Sequence, residues 1–223
     1  MPFRKRAATK KKKTQKRRPY GRRTRPYTTI IKGPNPFPDR MFTKLSYCDG
    51  LTLSSTSAPV GYVFRGNGAY DPYYAAGGHQ PRGFDEYTNI YTKFTVLGSA
   101  IRFTGHTTVG NPTISLKSSL DTAIPSFIYA DIEKGSTRIK LSEVGKPFFI
   151  KSFMSTSRIW GVTKKAVMSD DQYQGTTAST DPVKGWYWII SSKDESGSSC
   201  SIHGYFKIVY YIMFSARKAL AQS

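Results

Sequence analysis

The chain has 223 residues and a formal net charge of +20 at pH 7, from 34 Lys or Arg against 14 Asp or Glu. Hydrophobic residues make up 38% and aromatic residues 14%, which argues against a wholly disordered protein. Two cysteines are too few for a disulfide scaffold or a four-cysteine zinc site. The longest apolar run, residues 208–214, is too short to span a membrane, and no apolar stretch follows the N-terminal charges, so we expect no secretory signal. This charge favours a polyanionic partner.

The N-terminal segment carries most of the positive charge. Residues 1–27 contain thirteen basic residues and no acid, and the remaining residues carry a net charge of only +7. The segment has too little apolar surface to offset its backbone entropy. We therefore expect a disordered arm over residues 1–32, a Pro-rich extended spacer over 33–38 and a folded domain over 39–223. The thirteen basic residues are Arg4, Lys5, Arg6, Lys10, Lys11, Lys12, Lys13, Lys16, Arg17, Arg18, Arg22, Arg23 and Arg25.

Such a basic run has three interpretations: a solubilising tail, a segment that binds anionic membranes, or an arm that binds nucleic acid. A charge this dense is typical of an interaction arm, and no amphipathic apolar face accompanies it. Nucleic acid is the favoured partner, because each Lys or Arg that meets a phosphate releases counterions. Part of the arm also matches a nuclear import signal. The residues of that signal are Lys10, Lys11, Lys12, Lys13, Lys16, Arg17 and Arg18.

From Asp39 onward the dominant pattern is the two-residue period of β-strands. It is clearest over residues 200–215, where one face is apolar and the other is mixed. Seven further strands are predicted over residues 41–53, 60–65, 92–104, 113–117, 137–141, 148–154 and 186–190.

Helical signal is scarce. We expect a short helix near Phe84 with Asp85 as its N-cap, and a helical turn near residues 126–133. Eight strands with long loops at 66–91 and 162–185 favour a two-sheet sandwich over a meander barrel. A jelly roll accommodates such loops, because its connections cross between the sheets at their ends. The predicted fold class is therefore all-β, an eight-stranded jelly roll with a disordered arm.

The residues that usually carry chemistry show no catalytic or metal-binding spacing. His79, His106 and His203 are far apart in the sequence, and Cys48 and Cys200 form no paired motif, so both cysteines are interpreted as small core residues. No glycine-rich phosphate-binding motif is present. We therefore expect no enzyme activity, no metal and no cofactor.

Two further features have alternative interpretations. The acid pairs at 170–171 and 194–195 are turn residues or ligands of a cation between subunits. Trp160 and Tyr173 pack in the core or between subunits, or stack on nucleic acid bases.

Three consecutive segments carry a resemblance to a known family. Asn67 precedes Asp71 and Pro72 in the pattern N-x-x-x-D-P, residues 80–87 follow Q-P-x-G-x-D-x-Y, and residues 94–101 end in V-x-x-S-x-I; a later segment, 151–161, reads KSFMSTSRIWG. Together they resemble the capsid proteins of circular single-stranded DNA viruses that encode a replication initiator, the circovirus-like group. The resemblance implies a jelly roll, self-assembly into a closed icosahedral shell of sixty copies, genome packaging and nuclear import.

The expected partners follow from the arm and the resemblance together. They are single-stranded nucleic acid, DNA favoured over RNA, other copies of the chain as a homo-60-mer, and the host nuclear import machinery. The expected locations are the virion and, during assembly, the host nucleus. The sequence identifies no cell-surface receptor. Two alternatives stay open, the coat protein of a small or satellite RNA virus and a cellular nucleic-acid-binding protein of the ribosomal type.

The resemblance also makes a prediction about the two cysteines. In a jelly roll the first and last strands are antiparallel neighbours. Cys48 and Cys200 are therefore expected within a few residue rows of each other, as free thiols.

Overall fold

The structure is a computed structural model that describes residues 37–75, 77–125, 133, 136–178 and 180–219. The contacts of the chain divide it into two units, residues 1–36 and residues 37–223, and every described residue belongs to the second. The predicted arm, residues 33–36 of the spacer and most of the predicted turn at 126–133 lie outside the described residues. Within the described ranges, no helix has the length and apolar character needed to cross a membrane.

Alternating apolar and polar residues form strands whose apolar faces are buried. All eight predicted strands are confirmed, two of them, 60–65 and 137–141, with their predicted ends. The short β7 was not predicted. The strands are β1 (Arg40–Ser55), β2 (Val60–Arg65), β3 (Tyr91–Val109), β4 (Pro112–Ser119), β5 (Thr137–Leu141), β6 (Pro147–Ser155), β7 (Gln174–Thr176), β8 (Tyr187–Asp194) and β9 (Cys200–Arg217).

The strands pair antiparallel in two sheets. Sheet A has the order β1-β9-β3-β6, with β7 also pairing with β3, and sheet B has the order β2-β8-β4-β5. The chain thus folds as one long hairpin with the pairs β4–β5, β3–β6, β2–β8 and β1–β9, and successive pairs alternate between sheets B and A. A long hairpin wrapped in this way is a jelly roll, so the predicted all-β jelly-roll fold of the folded domain is confirmed.

The core lies between the two sheets and is rich in aromatic rings. In β9 the side chains at 200, 202, 206, 208, 210, 212 and 214 are buried, as the alternation predicted. Phe206 of sheet A meets Phe64 of sheet B, with ring centroids 4.2 Å apart. Trp186 and Trp188 are also fully buried and contact each other edge to face. Burial of each such side chain stabilises the fold by about 1.5–3 kcal/mol.

The helices are short and lie in the connections between strands. The expected helix near Phe84 is present, but the prediction that Asp85 caps it is wrong. Gly83 is the N-cap, with a positive φ of 86°, no side chain caps the helix, and Asp85 lies in its first turn. A left-handed backbone at this position favours glycine over aspartate. The helical segments are α1 (Phe84–Thr88), α2 (Thr156–Ile159), α3 (Lys164–Ser169) and a 3₁₀ turn (Asp171–Tyr173).

The two cysteines lie on adjacent antiparallel strands, but farther apart than predicted. Cys48 pairs with Lys207 and Cys200 pairs with Ser55, so seven residue rows separate them. The separation arises because β1 continues for seven residues beyond Cys48. Both cysteines are free; Cys200 is buried as predicted, whereas Cys48 is exposed and is not a core residue.

Candidate functional site

The basic residues predicted to bind nucleic acid, including the nuclear import signal, lie outside the described residues. The folded domain carries a second concentration of positive charge on the outer face of sheet A, meaning the face that points away from the core between the two sheets. The register of the sheet aligns Lys151 of β6, Arg102 of β3 and Lys207 of β9 in one row across three neighbouring strands. All three side chains are exposed. We call these three residues the cationic row.

The cationic row has no acidic partners within the part of the chain that the structure describes. Arg102 donates a hydrogen bond from Nε to the Thr104 hydroxyl at 3.3 Å, and its guanidinium lies 4.6 Å from the centroid of the Phe149 ring. Like charges directly opposite each other on neighbouring strands destabilise a sheet. The domain therefore bears an electrostatic cost that an anionic ligand would relieve.

Two adjoining grooves follow this face. The first, of ≈ 460 Å³, is lined by the cationic row together with Arg138 and Phe153. The second, of ≈ 380 Å³, shares Phe153 and adds Lys44, Lys164 and Tyr211. The Lys44 ammonium lies 5.1 Å from the centroid of the Tyr211 ring. The residues lining the two grooves include no acid.

Exposed aromatic rings flank the cationic row on both sides. Phe149 and Tyr205 both pair with Thr104 in the next outward-facing row, and they are 52% and 53% exposed. Phe153 lies in the outward-facing row on the opposite side and is 55% exposed. Clustered exposed apolar surface marks an interaction site. The face therefore combines unpaired positive charge with accessible aromatic surface.

A half-buried ion cluster lies at one end of the sandwich, where two long loops meet. Arg65 of β2 donates a hydrogen bond from Nη1 to Asp71 Oδ2 at 2.8 Å, and its Nε lies 3.5 Å from Asp181 Oδ2. The Tyr70 backbone N–H donates to Asp181 Oδ1 at 3.1 Å, and the Tyr210 hydroxyl donates to the Arg65 carbonyl at 2.8 Å. Burial raises the pKa of Asp181 to about 6, against the opposing effect of Arg65. Burial also raises the pKa of Tyr210, with the Asp181 charge acting in the same direction.

The segments that carry the family resemblance meet near this cluster and have structural roles. Asn67 donates to the Lys184 carbonyl and accepts from the Trp186 N–H, both at 2.9 Å. Ser99 donates to the Gly66 carbonyl at 2.6 Å and accepts from Trp188 Nε1 at 2.9 Å. These bonds connect the loop after β2 to β3 and to the segment before β8.

The segment 151–161 joins the same network through Thr156. The Thr156 hydroxyl donates to the Val96 carbonyl at 2.7 Å and accepts from Trp186 Nε1 at 3.1 Å. The motif residues thus fix how the loops cross between the two sheets. Within the described domain, they are part of the scaffold that supports the face of sheet A.

Three of the four residues of the acid pairs have local structural roles. The Asp170 carboxylate accepts from the Gln172 N–H, and the Asp194 carboxylate accepts from the backbone N–H groups of Asn111 and Ser196. Asp171 forms an ion pair with Lys93 at 2.8 Å. Among the described residues, no group of three or more His, Cys, Asp or Glu side chains could hold a metal ion.

Trp160 and Tyr173 pack together, with ring centroids 6.1 Å apart, and Tyr173 is buried. The packing interpretation is therefore confirmed for this pair. The sequence did not predict three accessible aromatic rings on the face of sheet A as site residues: Phe149, Phe153 and Tyr205. Their positions next to the cationic row follow only from the strand register.

Comparisons with known proteins identify the fold. No family model and no curated protein sequence matches the chain. The solved structure of cocksfoot mottle virus matches with a TM-score of 0.50 and 9% identity, covering 81% of this chain and 97% of that chain. Tobacco necrosis virus matches with a TM-score of 0.49 and 10% identity over 82% of this chain and 85% of that chain. The decameric BFDV capsid protein matches with a TM-score of 0.44 and 12% identity over 78% of this chain and 99% of that chain. The match to cocksfoot mottle virus agrees with the jelly-roll fold that the strand order shows.

Proposed function

We propose that this chain is a non-enzymatic viral capsid protein that assembles into a small icosahedral shell of sixty copies and packages a single-stranded DNA genome through its basic arm. The observation that carries the proposal is the pairing of a capsid-type jelly roll with a segment of thirteen basic residues and no acid. The folded domain forms the wall of the shell, and the arm neutralises the phosphates of the genome. Phosphate contacts need no base sequence, which suits the packaging of a whole genome.

Exposed apolar side chains in the loops and at a strand end support self-association. Val183 is 86% exposed, Leu141 at the end of β5 is 72% exposed and the nearby Val144 is 55% exposed. Neighbouring subunits in a closed shell would cover such side chains. Self-assembly therefore gives these residues a role that an isolated domain does not.

The arm also directs the protein within the host cell in this proposal. Its Lys10–Lys13 and Lys16–Arg18 clusters engage the nuclear import machinery, and assembly takes place in the nucleus before release of the virion. The same charges then bind the genome, so import and packaging use one segment in succession.

Electron microscopy of the purified full-length protein tests the proposal. We expect closed particles of uniform size that protect nucleic acid from added nuclease. Digestion of the extracted nucleic acid with DNase and RNase then identifies its type. Protection of RNA alone would replace the DNA assignment with the coat of an RNA virus, and a monomeric protein that forms no particles under any packaging condition would overturn the proposal.

A further inference from the structure

We propose that the outer face of sheet A is a second binding site for single-stranded nucleic acid, separate from the arm and formed entirely by the folded domain. The inference rests on the proposed function, since it takes the packaged strand as the ligand. In this site the cationic row binds consecutive phosphates, while the flanking aromatic rings stack on unpaired bases.

The charge of the face favours an anionic ligand. Lys151, Arg102 and Lys207 stand side by side on adjacent strands, which are ~5 Å apart. Arg138 adds a fourth cation to the lining of the same groove. The cations receive no compensation from acids in the lining, although the whole chain contains 14 of them. A phosphate backbone laid along the row would replace this repulsion with attraction and release counterions.

The aromatic rings distinguish a nucleic acid from a simple polyanion. Outward-facing rows of one sheet are ~7 Å apart. Phe149 and Tyr205 lie in the row on one side of the cationic row, and Phe153 lies in the row on the other side. A base could therefore contact one of these rings while its own phosphate contacts a cation of the row. Rings of this kind stack on bases of any sequence, because every base has a π-face. A positively charged groove combined with aromatic rings that stack on bases is the arrangement that sequence-tolerant single-strand binders use.

The aromatic rings also favour a single strand over a duplex. In a duplex the bases are already stacked on each other, so the exposed rings would find no partner. A broad, nearly acid-free sheet face with two adjoining grooves accommodates a flexible strand running from the cationic row towards Lys44 and Lys164. The second groove thus extends the track beyond the row.

The first experiment measures the salt dependence of binding to a labelled oligothymidylate with the full-length protein. The test variant carries Arg102→Gln, Lys151→Gln and Lys207→Gln. A matched control removes three exposed cations that line neither groove, through Arg82→Gln, Lys165→Gln and Lys218→Gln. We expect the slope of log Kd against log salt to fall by about 2 in the test variant, at ~0.7 per lost phosphate contact, and to stay unchanged in the control.

The second experiment removes the stacking surface. The double variant Phe153→Ala and Tyr205→Ala, which leaves the Phe149 ring under Arg102 in place, should weaken oligothymidylate binding at least about 5-fold, the lower end of the effect of losing one base-stacking ring. Its affinity for inorganic polyphosphate, which has no bases, should stay at the wild-type value. Equal losses for both ligands would overturn the stacking role.

A third measurement does not depend on variants that must fold. Photo-crosslinking of a bromouracil-containing strand to the wild-type protein, followed by peptide mapping, should label Phe149, Phe153 or Tyr205. Crosslinks confined to residues 1–36, or identical salt slopes for the test and control variants, would overturn the site. So would binding of heparin to the cationic row without binding of the oligonucleotide, which would indicate a sulfated polysaccharide. None of these readouts counts particles, so the site and the capsid proposal can fail independently.

Discussion

At the residue scale, Asp181 is a carboxylate held in a poorly solvated position between two loops. Its partner Arg65 also forms an ion pair with Asp71, so two acids share one guanidinium. Burial raises the pKa of Asp181 from 3.8 to about 6, and the Asp71 charge adds to that effect while Arg65 opposes it. The folded state therefore holds the Asp181 proton more tightly than the unfolded chain does. This contribution to stability is fully present below about pH 4 and is lost as the pH rises through about 6.

Replacing this carboxylate changes how stability depends on pH. We expect the free energy of unfolding of the wild type, relative to Asp181→Asn, to rise by up to ~3 kcal/mol as the pH falls from about 7 to about 4. Urea denaturation of the unassembled full-length protein across this range measures the difference. Parallel curves for the two proteins would contradict the assignment.

Asp194 offers a control of opposite sign. The hydrogen bond from the Ser196 hydroxyl, with those from the backbone N–H groups of Asn111 and Ser196, lowers the pKa of Asp194. Its contribution is present above pH 4 and lost as the pH falls further. The wild type should therefore lose its advantage over Asp194→Asn only as the pH falls below about 4, whereas its gain against Asp181→Asn comes between about pH 7 and 4.

At the element scale, the contact between β3 and β9 depends on a pair of glycines. Gly105 and Gly204 are directly opposite each other. A Cβ added at Gly204 would overlap the Thr104 carbonyl oxygen and lie 2.8 Å from the Gly105 Cα. These are backbone atoms of a central strand and cannot move without disturbing sheet A.

Gly204→Ala should therefore destabilise the domain by about 1–3 kcal/mol, the usual cost of overpacking. Gly50→Ala is the matched control, because Gly50 lies on the neighbouring β1 and nothing would contact its added Cβ within 4 Å. Alanine at Gly50 should leave the melting temperature unchanged or raise it slightly, since glycine weakens a strand interior. Equal melting temperatures for Gly204→Ala and Gly50→Ala would show that the backbones of β3 and β9 are farther apart at Gly105 and Gly204 than the structure places them.

The sequence predicts the long strands well and the short elements in the loops poorly. Alternation identified β9 over its buried face, because a strand buried on one side must alternate. It missed β7, a three-residue strand whose pairing with β3 is decided by the loop that contains it. The α3 helix was also missed, although Thr163 caps it through the Ala166 N–H.

The candidate site shows the same limit. Arg102, Lys151 and Lys207 are separated by 49 and 56 positions in the sequence, and only the register of β6, β3 and β9 aligns them. A slip of one residue would turn any of them towards the core. The register of these strands follows from the whole core, so no local pattern could have identified the cationic row.

At the scale of the whole molecule, the positive charge is divided between two regions with different physical characters. The segment 1–27 supplies thirteen basic residues without a core, and the folded domain supplies a small set aligned by its sheet. The three cations of the row are held in one geometry by the sheet register. If both bind the genome, the arm contributes most of the affinity and the sheet face guides the path of the strand along the wall.

Deletion of residues 1–27 tests this division. The strands begin at Arg40, so the truncated protein should keep its folded domain and its ability to form shells. It should lose most of its affinity for single-stranded nucleic acid, and its salt slope should fall by ~0.7 for each phosphate contact that the arm made. The binding that remains should show the shallow slope expected of a few cations and should decrease further with the Arg102→Gln, Lys151→Gln and Lys207→Gln variant. A truncated protein that keeps the wild-type affinity and slope would show that the arm is not the main genome-binding segment, whatever the face of sheet A contributes.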